Sequence, residues 1–495
     1  MKTTSFLVLI LATFLLSKSS FTQSNYIGSG ISCSFDGSTG TYIDLGNVFN
    51  DLNFPLTVEA WVYPTEWTLT GDYAPIMATD NIGVGGSYYG FWFRFNNLGK
   101  LIFEIGDGSG AGSTDRRGKI TTSTVNLNTW THVAVVATSV TDIKFYFNGV
   151  LQTSSNTDGS ATNTSILHTT YPAAIGHHIT PTTEHNLIGM LDEIRLWQIS
   201  LTETEIRTHM CKKYPDFIDN LIGYWNFDES YDTETAVDFS IINEEGALQG
   251  GVTKVTSGAP IGDESIFQYP ADWTGIKMKL ISDNDDYLRI KKIENDPLGM
   301  HVYRVDSEPY YNDGLNEYVD FYYGIFPVNG DDPVEYGIAY RYSTSNGVVT
   351  EDNQPNSSLF YKNDGSVETW TDLTAVMDPV QNFIREVGNT TRKEIIFNIL
   401  VPLFQPEELE LKKMLTEQTF IVSPNPSATY INVSNVNMKY PIYITDIFGR
   451  LIFVEFIDEN TTTYELDVST FESGSYFIIQ NLDGKIQSGR FEVIR

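Results

Sequence analysis

The sequence predicts an all-β protein built from three successive sandwich domains. Short segments in which apolar and polar residues alternate recur along most of the 495 residues, and Gly, Asn, Asp and Ser residues separate them. Aromatic residues make up 13% of the chain and there are 39 glycines, which is typical of sheets joined by tight turns. A chain of this length exceeds what one hydrophobic core supports, so we expect it to divide into domains.

The first 24 residues have the features of a secretory signal. Lys2 provides a positive start, residues 6–16 are almost entirely apolar, and small and polar residues follow. The apolar run is too short to span a bilayer, and the alternative is a buried N-terminal helix. No later segment reaches membrane-spanning length, so we expect a chain exported across the inner membrane without a transmembrane segment.

The charge of the chain disfavours nucleic acid and anionic lipid as partners. There are 63 acidic and 31 basic residues, which gives a formal net charge of −32. A surface of this kind repels nucleic acid and anionic lipid.

Residues 25–260 are predicted to form the first sandwich. Alternating segments lie at 58–64, 90–96, 100–106, 130–137 and 143–149. This spacing is typical of a sandwich or jelly roll. Asn148 and Gly149 between two such segments predict a tight hairpin turn, because both central residues of that turn need a positive φ.

Five motifs in this region appear in an order that resembles a known family. They are SFDGSTGTYIDLG (34–46), LTVEAWVYP (56–64), NTWTHVAVV (128–136), FYFNGVLQ (145–152) and IGMLDEIRLWQISLTETEI (188–206). The region resembles the LamG-like jelly-roll domains of the concanavalin A-like lectin/glucanase class. That resemblance implies a jelly roll that recognises carbohydrate or a surface protein.

The catalytic members of that class carry a Glu-x-Asp-x-x-Glu strand, whose carboxylates line one face. The motif is absent, since Glu104 and Asp107 have the wrong spacing and run into a glycine loop. A binding protein is therefore the leading hypothesis. The alternatives are a glycoside hydrolase with an unrecognised site, built from carboxylates such as Glu59 and Glu104, and a purely structural adhesin.

Aromatic and basic residues of the first domain are candidates for sugar contact. Alternation places Trp92 and Arg94 on the face opposite Phe91, Phe93 and Phe95, while Trp67 and Tyr88 lie in or beside loops. Aromatic faces stack on pyranose rings, so these four residues predict a carbohydrate site. The alternative is that Trp92 packs beneath a loop.

Asp192 is the leading metal candidate. Alternation places Asp192 on the same face as Ile194 and Leu196, so it is expected to point into the core. A buried carboxylate must be paired, hydrogen-bonded or bound to a metal. The resemblance implies that this strand supplies an Asp to a structural calcium, whose ligands are oxygens. Hydrogen bonds from a neighbouring turn are the alternative, and Asp36 is a second, weaker candidate that also suits a simple turn.

Cys33 and Cys211 are the only cysteines. Thiols of exported proteins commonly pair. The first and last segments of the resembling folds lie side by side, so a disulfide between Cys33 and Cys211 is predicted. The alternative is two buried free thiols.

Residues 263–412 predict an immunoglobulin-like β-sandwich, from alternating segments spaced 8–15 residues apart. The acidic segment 283–286 lacks the glycine and distal glutamate of an EF-hand, so a solvated turn is favoured over a calcium loop. No nucleophile–base pair, phosphate loop or cofactor motif is apparent in this region. Its role stays open.

The last segment, 420–495, contains Pro424-Asn425-Pro426, a Gly449-Arg450 turn, a Gly474-Ser-Tyr476 motif and a terminal strand that ends at Arg495. It resembles the C-terminal sorting domain of the type IX secretion system of Bacteroidota, which implies that the secretion machinery is a partner. Residues 413–419 are predicted to be a linker. The protein is therefore expected outside the cell or on the outer-membrane surface.

Overall fold

The computed structural model describes most of the chain. The described residues are 29–67, 73–80, 87–179, 184–214, 218–330, 333–344, 346–350, 353–379, 381–400, 420–437, 442–447, 451–455, 463–482 and 485–495. The predicted signal sequence and the predicted linker lie outside them. Nearly all regular structure is strand, which confirms the all-β prediction. Within the part of the chain that the structure describes, no helix has the length and apolar character needed to cross a bilayer.

Among its described residues, the first domain contains strands β1 to β19, one α-helix and one short 3₁₀ helix. The strands are β1 (Ile31–Asp36), β2 (Tyr42–Gly46), β3 (Leu56–Pro64), β4 (Tyr73–Ala78), β5 (Phe91–Asn96), β6 (Leu101–Gly106), β7 (Arg116–Thr121), β8 (Thr131–Ala137), β9 (Ile143–Phe147), β10 (Val150–Gln152), β11 (Ser154–Asn156), β12 (Ala173–Ile175), β13 (His177–Ile179), β14 (Glu184–Asn186), β15 (Ile188–Trp197), β16 (Leu221–Trp225), β17 (Thr235–Ala236), β18 (Gly246–Gln249) and β19 (Thr253–Thr256). The helices are the 3₁₀ turn Ser113–Asp115 and α1 (Glu203–His209).

Seventeen of these strands form two antiparallel sheets packed face to face, and β13 and β14 form a separate two-stranded sheet. The eight-stranded sheet has the order β10-β9-β8-β3-β15-β1-β19, with β16 added beside β15. The nine-stranded sheet has the order β11-β7-β6-β5-β4-β12-β2-β18-β17. Apolar residues of both sheets, such as Val58, Val62, Phe91, Phe93 and Phe103, share one core. Each sheet therefore has an inner face on this core and an outer face turned away from it.

The turn between β9 and β10 is the one that the sequence predicts. Asn148 and Gly149 have φ values of 48° and 70°. Phe147 pairs directly with Val150, so Asn148 and Gly149 alone make the turn. The positive φ at both positions matches the right-handed twist of the strands that the turn joins.

The outer face of the eight-stranded sheet is covered. At one end α1 packs there, since Ile206 and Leu201 lie against Trp197 and Tyr224. Elsewhere the face packs against the middle domain, where the Trp61 ring meets Phe326 edge-on with centroids 5.4 Å apart. Trp61 Nε1 donates to the Met210 carbonyl, at the end of α1, at 2.6 Å. The outer face left for a ligand in this domain is therefore that of the nine-stranded sheet.

The predicted disulfide is absent from the structure, which gives Cys33 and Cys211 as buried free thiols. Cys33 on β1 pairs with Leu191 and packs in the core between the sheets. Cys211 packs with Trp61 and Met210 on the outer side of the eight-stranded sheet. The two side chains lie on opposite faces of that sheet, so closeness of the chain segments does not bring the sulfurs together.

A bulge in β15 also corrects the predicted orientation of Asp192. The pairing with β3 shifts between Asp192 and Arg195, and Glu193 has a φ of 51°. Leu191 and Ile194 consequently both face the core, although they are three residues apart. Asp192 therefore lies on the outer face, opposite to the face of Ile194, because the extra residue reverses the alternation at this point.

The middle domain is a second β-sandwich, as predicted. Its elements are β20 (Glu264–Gln268), β21 (Met278–Ile281), β22 (Tyr287–Glu294), β23 (Gly299–Val305), β24 (Glu317–Tyr318), β25 (Tyr322–Val328), β26 (Glu335–Arg341), the 3₁₀ turn Gln354–Asn356, β27 (Ser357–Lys362), β28 (Thr371–Asp372), β29 (Val376–Asp378), β30 (Phe383–Asn389) and β31 (Lys393–Ile399). A seven-stranded sheet, β20-β23-β25-β31-β27-β28 with β24 beside β31, faces a five-stranded sheet, β21-β22-β26-β30-β29.

The acidic segment at 283–286 is not wholly solvated. Asp286 is fully buried. It accepts hydrogen bonds from Tyr340 Oη at 2.7 Å and from the Ser343 N–H at 2.5 Å. It therefore ties the turn between β21 and β22 to the end of β26.

The C-terminal domain contains β32 (Ile421–Ser423), β33 (Tyr430–Ser434), β34 (Ile442–Asp446), β35 (Leu451–Glu455), β36 (Thr463–Asp467), β37 (Gly474–Leu482) and β38 (Lys485–Val493). They form a three-stranded sheet, β32-β33-β36, and a four-stranded sheet, β35-β34-β37-β38. Ile431, Leu466, Ile478 and Phe491 belong to a core of its own. This small sandwich agrees with the sequence prediction.

Candidate functional site

The outer face of the nine-stranded sheet carries a buried ion pair. Phe91, Phe93 and Phe95 of β5 face the core, so the residues between them, Trp92 and Arg94, face outwards. Glu104 of the neighbouring β6 also faces outwards, and an Arg94 guanidinium nitrogen donates to Glu104 Oε2 at 2.5 Å. Both side chains are 2% exposed. A bond of this kind between opposite charges is among the stronger hydrogen bonds.

Aromatic rings surround the Arg94 guanidinium. Its central carbon lies 3.6 Å from the centroid of the Tyr73 ring and 5.6 Å from that of Trp92. His178 Nδ1 lies 3.3 Å from Arg94 Nη1. Burial, together with the positive charge of Arg94, keeps the pKa of His178 well below its ordinary value. His178 is therefore neutral near pH 7, so its Nδ1 is free to accept from Arg94.

Three of the four residues predicted for sugar contact are buried. Trp92 is 1% exposed, Arg94 1% and Tyr88 6%. Tyr88 meets Trp92 edge-on at 4.8 Å between centroids, and His178 of β13 lies tilted over Trp92 at 5.0 Å. The alternative, Trp92 packed beneath another segment, is the arrangement that the structure shows. Trp67 is partly buried, and its ring lies 5.2 Å from that of the core residue Phe95, so it packs toward the core and not beside Trp92 and Arg94.

A pocket opens beside the ion pair at the β7 end of this face. Its volume is about 310 Å³, and it is lined by Tyr73, Asn96, Asn97, Ile102, Glu104, Arg116, Ile120, Asn156, Thr157 and Asp158. Arg116 crosses it: Nε lies 3.5 Å from Glu104 Oε1 and Nη2 lies 3.3 Å from Asp158 Oδ1. Burial would lower the pKa of Arg116, but the negative charge of Glu104 more than offsets this and raises it. The pocket thus presents a fixed cation, two carboxylates and three amides.

A second cavity of about 460 Å³ lies next to this pocket, and Asn156 contributes to both. Arg117, Lys119, Thr141, Ser160 and Thr162 are among its lining residues. Arg116 and Arg117 are adjacent on β7, and each contributes to a different cavity. Arg117 and Lys119 pair with the core-facing Ile105 and Phe103, so the second cavity lies on the inner side of β7, opposite to the face of the first pocket.

The sequence pattern does not single out Arg116, Asn156 and Asp158. Arg116 begins β7, Asn156 ends the edge strand β11 and Asp158 lies in a loop, where neither the period-two pattern nor the family motifs single them out. The adjacent arginines at 116 and 117, in a chain with twice as many acidic as basic residues, were the available signal. Only the pairing of β7 with β6 brings Arg116 beside Glu104.

Glu59 and Glu104, the carboxylates named for a hydrolase, do not meet. Glu59 lies on the outer face of the eight-stranded sheet and Glu104 on the outer face of the nine-stranded sheet, so the whole core separates them. Burial alone would raise the pKa of Glu59, but the contact with His132 and the charge of Arg195 lower it to about 2. Its Oε1 accepts from Trp197 Nε1 at 3.0 Å. Glu59 is a buried structural carboxylate.

Asp192 and Asp36 are likewise apart. Asp192 is fully buried and accepts from the Glu193 N–H at 2.7 Å and from Ser257 Oγ at 2.5 Å. Both oxygens therefore have protein donors, which is the alternative to calcium ligation. Asp36 is exposed and accepts from Ser38 and Thr41 within its own turn. Among the described residues no three His, Cys, Asp or Glu side chains group as metal ligands, and calcium ligation by Asp192 or Asp36 stays a prediction.

Family comparisons agree with this architecture. Residues 36–207 match the concanavalin A-like lectin/glucanases superfamily. Residues 422–492 match the secretion system C-terminal sorting domain. Both resemblances predicted from the motifs are therefore confirmed. The C-terminal domain marks the chain for type IX secretion to the cell surface or the extracellular space.

Three similar solved structures are the following. A Bacteroides ovatus protein named for a proposed carbohydrate-binding role is 19% identical over 48% of this chain and 62% of its own, with a TM-score of 0.34. A pentraxin of Limulus polyphemus is 16% identical over 36% and 81%, with a TM-score of 0.25. The CBM40 domain of the Ruminococcus gnavus IT-sialidase, solved with α2,3-sialyllactose, is 14% identical over 36% and 97%, with a TM-score of 0.27. No curated protein matches the chain in sequence.

Proposed function

We propose that the protein is a surface or secreted carbohydrate-binding protein whose first domain holds its ligand in the pocket on the outer face of the nine-stranded sheet. The observation that carries the proposal is the polar lining of this pocket in a domain of the lectin/glucanase superfamily. Guanidinium, carboxylate and amide groups supply both the donors and the acceptors that sugar hydroxyls need.

The buried ion pair gives the pocket a rigid base. Arg94 and Glu104 are held by each other, by Tyr73 and by His178, so they have little freedom to reorient when a ligand arrives. A preorganised polar base reduces the entropy lost on binding. Asn97, Asn156 and Asp158 form the more accessible rim that contacts the ligand first.

The pocket supports binding better than hydrolysis. A glycosidase needs two carboxyl groups, one as acid and one as nucleophile or base, on either side of the bond that breaks. Here Glu104 is engaged by Arg94 and Arg116, and Asp158 is engaged by the same Arg116. Glu104 is therefore not free to take up the second role, and Asp158 would have to leave Arg116 to do so.

A glycan array with the intact protein tests the proposal. Asn156→Ala and Asp158→Ala together should weaken binding about thirtyfold, because each removes a polar contact worth roughly 1 kcal/mol. Ser155→Ala is the matched control, since Ser155 is exposed on the same short strand and does not line the pocket.

Each alternative function has its own outcome. Release of reducing ends from a bound glycan would support a hydrolase instead. Absence of binding across the array, with the variants and the wild type alike, would support a structural adhesin.

A further inference from the structure

The outer face of the five-stranded sheet in the middle domain is basic and aromatic. The inward residues of its strands, such as Leu288, Ile338, Tyr340 and Ile384, belong to the core of the sandwich. The residues between them point outwards, and the pairing of the strands arranges them in rows. One row contains Ile281, Tyr287, Arg341, Phe383 and Asp378, and the next contains Lys279, Arg289, Ala339, Arg385 and Val376.

The cations of this face rest on rings. Lys279 Nζ lies 3.9 Å from the centroid of the Tyr287 ring. The guanidinium carbons of Arg385 and Arg289 lie 4.7 Å and 5.5 Å from the Phe383 centroid. Tyr287 and Phe383 meet edge-on at 5.9 Å. The two rings therefore anchor positive charges on three strands, β21, β22 and β30.

Most of these charges have no carboxylate partner. Asp378 pairs with Arg385 at 3.3 Å. Within the described residues, Lys279, Arg289, Lys291 and Arg341 form no ion pair. Glu335 faces Glu294 at the far end of the sheet. In a chain of net charge −32, a face with an excess of positive charge is an exception.

The middle of the face is shallow. Gly337 and Ala339 lie on the central strand, with Lys291 opposite Gly337 and Arg289 opposite Ala339. A Cβ on Gly337 would lie 3.2 Å from Ile293 Cδ1 and 3.4 Å from Val387 Cγ1. Larger side chains therefore border a floor of two small residues. Val387 is 69% exposed.

We propose that this face is a second binding surface, and that its partner is an acidic polysaccharide whose sugar rings bear carboxylates. The planar guanidinium groups of Arg289, Arg341 and Arg385 suit bidentate contact with carboxylates. Tyr287 and Phe383 supply apolar ring surface between these groups, and the shallow floor admits a flat, extended chain. The rest of the protein repels anions, but charges beyond about 8 Å are largely screened at physiological salt, so the local face governs the contact.

The location of the protein favours this partner over nucleic acid. Type IX secretion takes the chain to the cell surface or beyond, where polysaccharides are exposed. The surface lies on the middle domain, and the pocket of the proposed function lies on the first domain. The two proposed sites can therefore be tested independently, and failure of one does not bear on the other.

The probe is polygalacturonate, titrated calorimetrically with the intact protein. Its fully methyl-esterified form keeps the sugar chain and removes the charge, and polyglutamate keeps the carboxylates and removes the sugar. We expect binding to polygalacturonate alone, weakening as salt rises because exposed charges are screened. Equal binding of the ester or of polyglutamate would overturn the proposal.

Two variants localise the contact. Arg289→Gln should weaken binding about tenfold, since a charge-assisted hydrogen bond is worth about 1.5 kcal/mol or more. Lys144→Gln is the charge-matched control, because Lys144 is exposed on the first domain, and it should bind like the wild type. Unfolding midpoints check that both variants fold. A folded Arg289→Gln that binds like the wild type would assign the affinity to another surface.

Discussion

Ser257 Oγ donates a 2.5 Å hydrogen bond to Asp192 Oδ2, and so ties the bulge of β15 to the segment that leads out of the first domain. Burial raises the pKa of Asp192 well above its ordinary range, and the nearby negative charges of Glu193 and Asp228 raise it further. The folded protein therefore binds this proton more tightly than the unfolded chain does.

This shift predicts a pH dependence of stability. Between the unfolded pKa, about 3.9, and the higher folded pKa, the folded state holds more protons, so the free energy of unfolding falls as pH rises, by up to ~1.4 kcal/mol per pH unit. The Asn side chain of Asp192→Asn does not titrate. The free energy of unfolding of this variant, measured by urea titration, should therefore fall less between pH 4 and pH 8 than that of the wild type. Asp36→Asn is the control, because hydrogen bonds from Ser38 lower the pKa of Asp36 and give the opposite sign. If the free energy of unfolding changed with pH in the same way for the wild type and Asp192→Asn, the result would contradict this prediction.

The same variant tests calcium. If Asp192 ligated calcium, millimolar calcium would raise the melting temperature of the wild type and leave that of Asp192→Asn unchanged. The hydrogen bonds at Asp192 predict equal melting of the wild type in calcium and in chelator.

Glu104→Gln should destabilise the first domain by about 3–5 kcal/mol, because it leaves the buried Arg94 without its counter-charge. Asp158→Asn, on a side chain that is 77% exposed, should change the unfolding free energy by no more than about 0.5 kcal/mol. Urea unfolding measures both. If Glu104→Gln left the free energy of unfolding unchanged, Arg94 would have another partner.

Trp61 and Phe326 should couple the first two domains. Replacing either residue with alanine should lower the free energy of unfolding by about 3–5 kcal/mol. A double-mutant cycle should give a coupling free energy of about 0.5–1.5 kcal/mol between the two rings. We expect each alanine variant to shift one common unfolding transition. Two separate transitions, each moved by only one variant, would show that the domains unfold independently.

Cys33 and Cys211 should each take one alkyl group when the protein is denatured without a reducing agent. In the native state both should resist alkylation, because burial raises the pKa of each thiol and blocks access. Mass spectrometry counts the added groups. Unmodified cysteines after denaturation would indicate a disulfide.

Deletion of residues 420–495 should leave a folded protein in the periplasm, since the sorting domain has a core of its own. Immunoblots of periplasm, cell surface and medium follow the chain in a host with type IX secretion. Normal delivery of the truncated chain would contradict the assigned role of this domain.

Much of the fold was predictable because it depends on local pattern. Alternation in 91–96 correctly put Phe91, Phe93 and Phe95 inside and Trp92 and Arg94 outside, and Asn148-Gly149 specified its turn. The motifs of the first and last domains were long enough to identify both families. Alternation states which face a residue occupies, but it does not state what covers that face.

The sequence alone therefore determined the all-β class, the two families and the export route, since each follows from short-range pattern. Tertiary structure decided the rest. Packing of β13 over β5 buried Trp92, the bulge at Glu193 turned Asp192 to the outer face, and a whole sheet separated Cys33 from Cys211. The pocket at Arg116 and the basic face around Arg289 likewise exist only because strand pairing brings distant residues into register. Such contacts depend on how the chain folds back on itself, and no local pattern of residues encodes them.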